Sequence, residues 1–91
     1  MFRDSVYPND VVLLDYTAGV IIARVVTINN MNVYVLDKLI GTNAEEPKHI
    51  RFSHKTLERH YKYNFGRIDA SELEGISTVV DFKTKFPEGF I

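Results

Sequence analysis

Val20-Ile21-Ile22-Ala23-Arg24-Val25-Val26-Thr27-Ile28 decides the fold. Seven of these nine residues are branched at Cβ, which stiffens χ1, disfavours helix and suits a pleated surface. The even positions carry Val20, Ile22, Arg24, Val26 and Ile28, the odd ones Ile21, Ala23, Val25 and Thr27. A strand with one solvated face would alternate cleanly between apolar and polar. Apolar residues on both faces are expected of a strand that bends and serves two packed sheets, as in a small closed or half-closed barrel.

Upstream, Pro8-Asn9-Asp10 is a turn cluster ahead of Val11-Val12-Leu13-Leu14, a first strand. Thr17-Ala18-Gly19 separates that strand from the long one, with Gly19 free to take positive φ. Downstream, Asn29-Asn30 fits a short hairpin loop, and Met31 to Leu36 returns as a third strand. Gly41 to Pro47 is an acidic loop, followed by a fourth strand at Lys48 to Phe52. Ser53 has the chemistry of an N-cap for a helix over His54 to Tyr63, stopped by Asn64-Phe65-Gly66. Beyond it, Ser71-Glu72-Leu73-Glu74 has capping-box spacing, cut short by Gly75. Ser77 to Phe82 is expected as a last strand, and the apolar tail Phe86 to Ile91 is expected to pack back on the core.

At 91 residues, 45% hydrophobic and with a net charge of −1, the chain has the composition of one small folded domain. It holds no cysteine, which excludes disulfides, thiolate metal sites and cysteine nucleophiles. No stretch approaches the roughly 18 apolar residues of a membrane span. Met1-Phe2-Arg3-Asp4-Ser5 lacks the apolar block of a signal peptide, so a cytoplasmic protein is expected.

The order of these elements resembles that of SH3-like small barrels, a group that includes KOW and Tudor modules. The resemblance rests on Asp10-Val11-Val12, Gly19, Val20 to Val26, the asparagine turn into Val33-Tyr34-Val35-Leu36, and Phe52-Ser53 leading into Lys55-Thr56-Leu57-Glu58. It implies a mainly β antiparallel barrel spanning about residues 6–65, one short helix after the fourth strand, and a C-terminal extension over 66–91 of a single domain. It also implies a binding module for nucleic acid, peptide segments or other proteins rather than an enzyme. The plan is similar to that of accessory proteins encoded by phages. The chain departs from nucleic-acid-binding KOW modules in having only Arg24 as a basic residue near its first hairpin, and no methyl-lysine cage can be assigned.

Charge is unevenly distributed. Residues 48–67 hold six basic side chains, Lys48, Arg51, Lys55, Arg59, Lys62 and Arg67, against Glu58 alone. The segments on either side are each net −3. The basic segment also contains His49, His54, His60, Phe52, Tyr61, Tyr63 and Phe65. On a helix over His54 to Tyr63, at about 100° per residue, Lys55, Arg59 and Lys62 share one face, with Leu57, Tyr61 and His54 opposite. Such a cationic stripe attracts phosphate or carboxylate, with Arg51 and Arg67 flanking and Tyr63 placed to stack on a base. The same residues also read as a solvated helix face neutralised by the acidic flanks.

Histidines five and six residues apart match no helical ligand pair, and no cysteine completes a metal set. No phosphate loop or catalytic signature is present, so neither a cofactor nor catalysis is expected. Two functional classes remain. One is a non-catalytic module that binds an anionic partner, nucleic acid or an acidic protein surface, through Arg51, Lys55, Arg59, Lys62, Tyr63 and Arg67. The other is an adaptor or inhibitor acting through a β-edge and the tail residues Phe86, Phe90 and Ile91, which are also the expected route to a homo-oligomer.

Overall fold

In the computed structural model, residues 6–16, 19–29, 33–41 and 49–91 are described. The Asn30–Asn32 part of the expected hairpin loop, residues 42–47 of the acidic loop, and Lys48 lie outside them. Tyr7-Pro8-Asn9-Asp10 forms a turn closed by the Asp10 amide on the Tyr7 carbonyl, with Asn9 at φ 79°. Proline at the second position and asparagine in the left-handed region at the third are what a type II turn requires. The chain then runs through β1 (Asp10–Tyr16), β2 (Gly19–Ile28), β3 (Val33–Gly41), β4 (His49–Ser53), α1 (His54–His60) and β5 (Tyr61–Arg67). A 3-10 turn at Ala70–Leu73, the helix α2 (Val79–Lys85) and a 3-10 turn at Pro87–Phe90 complete it.

The protein is mainly β. Among the described residues, five strands form one antiparallel sheet in the order β4-β3-β2-β1-β5, so α1 carries the chain from one end of the ladder to the other. The hydrogen-bonded order is open: among the described residues no pairing joins β4 to β5. Asn29 helps to close the β2–β3 hairpin, its Oδ1 accepting from the Val33 amide at 3.0 Å.

Among the described residues, four bulges bend this sheet. Val26 is the extra residue on β2, Leu39 on β3, and Lys62 and Phe65 on β5. Each bulge swaps the faces of the residues beyond it. Thus Ile21, Ala23 and Val25 point inward together, and Ile28 rejoins them despite its even number. The inner cluster combines them with Val6, Val12, Leu14, Tyr34, Leu36, Phe52 and Leu57.

The opposite face of β1 and β2 is also dry, which explains the two-faced apolar pattern more fully than a bend alone. Val11, Leu13, Ile22 and Ile40 form a second cluster with Ile68 and Phe82, covered by Phe65, Leu73, Ile76, Val79, Phe86 and Phe90. The C-terminal extension is therefore the second layer. Its tail packs back as expected, with Phe82 and Phe86 at 4.8 Å between ring centroids, while Ile91 stays exposed.

Three local expectations are corrected. Ser77 to Phe82 is not a strand: Thr78 caps α2 by accepting the Asp81 amide at 3.1 Å. Val79, Phe82 and Phe86, at helical spacing, face the sheet and override the β propensity of Val79-Val80, leaving Val80 exposed. Helix α1 ends at His60 rather than Tyr63, and Asn64-Phe65-Gly66 continues β5, which runs to Arg67, instead of stopping a helix. The short helix near Ser71 is a 3-10 turn with Asp69 at its N-cap and no side-chain cap bond, so the expected capping box does not form.

Candidate functional site

Helix α1 closes one end of the inner cluster. Ser53 starts it: its Oγ accepts the Thr56 amide at 3.3 Å and donates to Thr56 Oγ1 at 2.9 Å. Leu57 is buried in the core, so the seven-residue helix turns Lys55, Glu58 and Arg59 outward. Lys55 and Arg59 are one helical turn apart on a shared face.

All three histidines are engaged. His54 Nδ1 is hydrogen-bonded to the Tyr34 hydroxyl at 3.4 Å, and its Nε2 lies 3.6 Å from Glu58. The Asp15 carbonyl accepts from His60 Nδ1 at 3.1 Å. His49 meets Asp37 across the β3–β4 pair at 2.5 Å. These contacts tie α1 and β4 to β1 and β3, and they occupy Glu58, the acidic residue of the basic segment. Among the described residues, Arg51, Lys55, Arg59 and Lys62 form no ion pair.

The structure divides the expected site. Arg51 lies on β4, directed outward with His49 and Ser53, while Ile50 and Phe52 turn inward. Lys62 does not share the helix face of Lys55 and Arg59: it is the first of the two bulge residues of β5, two positions beyond α1 and exposed. Arg51, Lys55, Arg59 and Lys62 thus sit on or immediately beside α1. Arg67 does not join them, because it pairs with Asp10 at the other end of the β1–β5 ladder, roughly 15 Å along the strand at about 3.3 Å per residue.

The aromatic side chains are largely consumed by packing. Phe52 is buried, Tyr61 packs on the inner cluster, and Phe65 stands edge-on to Phe82 at 4.9 Å in the outer one. Tyr63 is the most open of the four, 36% exposed, with its ring edge-on to Phe65 at 4.9 Å. Phe86 and Phe90 are half-buried on the outer face, so of the tail residues expected to meet another protein only Ile91 is open.

Arg24 is structural: its guanidinium donates to the Asn9 carbonyl at 3.0 Å and the Ile68 carbonyl at 2.6 Å, fastening the extension to the start of β1. Asp10 accepts from the Tyr7 amide at 2.9 Å and from Asn64 Nδ2 at 3.0 Å. One feature was not visible from residue types alone. Strand β4 is an end of the ladder, and its inward residue Ile50 is only half-buried.

The described residues enclose no pocket, and no three of their His, Asp or Glu side chains are grouped to hold a metal ion. No helix among them is long and apolar enough to cross a membrane. No protein family, curated protein or solved structure matches the chain.

Proposed function

We propose that this chain is a non-catalytic interaction module that binds an anionic partner at the end of the molecule carrying α1. Lys55 and Arg59 on the helix supply the central charge, and Arg51 and Lys62 flank them on β4 and β5. The observation that carries this reading is the absence of ion-pair partners for these four exposed cations among the described residues. Glu72 and Glu74 lie in and just after the 3-10 turn that follows β5, and neither forms an ion pair with these cations. The strand order, with a helix between the fourth and fifth strands, supports an SH3-like small-barrel reading of the fold. The adaptor reading through the tail has less support, because Phe86 and Phe90 are spent on the chain's own outer cluster.

Fluorescence anisotropy with a single-stranded oligonucleotide, a duplex and polyglutamate tests the proposal. At least one probe should bind at low salt and weaken about tenfold or more as salt rises from about 50 to 200 mM. Arg59→Glu should weaken it further. Failure of all three probes to bind at low salt contradicts the proposal.

A further inference from the structure

We infer that the outer edge of β4 takes an extended polypeptide segment of alternating acidic and apolar residues as a sixth strand. This rests on the reading of the α1 end as an anion-binding surface and names the class of anion. Among the described residues β4 is the terminal strand of the ladder, and a terminal strand presents a row of backbone donors and acceptors that another strand can pair with. The other end of the ladder is poorly suited to this. β5 carries two bulges in seven residues, with Phe65 packed under the C-terminal extension, whereas the β3–β4 pairing runs without a register shift.

The side chains of β4 define what an added strand must carry. His49, Arg51 and Ser53 face outward, and Ile50 and Phe52 face the inner cluster, with Ile50 half-buried. Directly opposed residues across two strands interact most strongly. A carboxylate opposite Arg51 gains an opposite-charge pair, and an apolar side chain opposite Ile50 completes its burial. Because α1 follows β4 directly, Lys55 and Arg59 lie beyond the strand's end to meet further carboxylates.

A nucleic acid fits this surface less well. Of the four aromatics in the basic segment, Phe52, Tyr61 and Phe65 are taken up by the two clusters, leaving Tyr63 for stacking. A second copy is also disfavoured: centred antiparallel pairing of two β4 strands sets Arg51 against Arg51, and like charges directly opposite repel.

The test titrates the full chain with a peptide of alternating glutamate and valine, roughly eight residues long to span the edge. A peptide of the same composition with its glutamates in one block, and a single-stranded oligonucleotide, are the comparison probes. The alternating peptide should bind more tightly than either, and should slow hydrogen exchange of amides within His49–Ser53. A strand turns one alternate set of its amides toward a given neighbour, so N-methylation of one set should weaken binding about tenfold and methylation of the other set should not. Arg51→Glu should weaken binding, and Arg51→Lys should largely retain it. Equal binding of the block peptide or the oligonucleotide, with β4 amides unprotected, overturns the inference and leaves the anion-binding reading standing. Equal behaviour of the two N-methylated forms also overturns it. No binding by any probe at low salt defeats both.

Discussion

Gly89 shows how closely the second layer is fitted. A Cβ there would lie 2.5 Å from the ring of Phe65 and 2.9 Å from that of Tyr63, so the residue is glycine because two aromatic rings occupy the space of a side chain. Gly89→Ala is expected to push the last turn off β5 and lower stability by about 1–3 kcal/mol, the usual cost of overpacking. An unchanged urea midpoint would show that the turn adjusts freely. Ser53 acts through a different mechanism, since its Oγ satisfies one of the orphan amides of α1. Ser53→Ala should cost about 1 kcal/mol and Ser53→Asp should restore most of it, read by the same denaturation. The cap was legible in the sequence, because serine before a helix-forming run has local meaning. The requirement for glycine at position 89 was not, since it depends on rings more than twenty residues away.

Among the elements, the C-terminal extension carries more of the fold than its position suggests. Phe82 is fully buried between β1, β2 and the rings of Phe65, Phe86 and Phe90. Removing residues 86–91 takes away two of those rings. Truncation after Lys85 should therefore lower stability by more than about 3 kcal/mol, comparable to losing one buried aromatic side chain, and expose an apolar face that binds a hydrophobic dye. A truncated chain of full stability and no dye binding would contradict the two-layer account. β1 to β3 were legible because apolar, largely β-branched runs punctuated by Pro8-Asn9, Gly19 and Asn29-Asn30 give consistent local signals, and β4 because Ile50 and Phe52 alternate with His49 and Arg51. β5 was not, although Tyr61, Tyr63 and Phe65 alternate with Lys62 and Asn64. The bulge at Lys62 sends Tyr61 inward and Tyr63 outward, so no single face of that alternation looks like a core face. α2 was missed because Val79-Val80 has strand propensity, and only the sheet beneath it selects the 79, 82, 86 spacing.

At the scale of the whole molecule, the charge asymmetry survives folding in altered form. Three of the basic side chains in the 48–67 segment, Lys55, Arg59 and Lys62, lie on α1 or at the start of β5, and Arg51 flanks them from β4. Arg67 is carried to the opposite end, and Lys48 lies outside the described residues. The sequence revealed the cationic segment but not this division, which follows from the early end of a seven-residue helix. Reversing the pair, Lys55→Glu with Arg59→Glu, should leave the fold intact because both side chains are exposed, while weakening anion binding about tenfold or more. The most direct measurement is amide chemical-shift mapping of the full chain against polyglutamate at low salt. Anion binding at the α1 end predicts perturbations concentrated at Arg51–Lys62, with Ala70–Phe90 quiet, and their loss in the doubly reversed variant. Perturbations centred on Phe86–Ile91, or a shift pattern indifferent to the charge reversal, would contradict it.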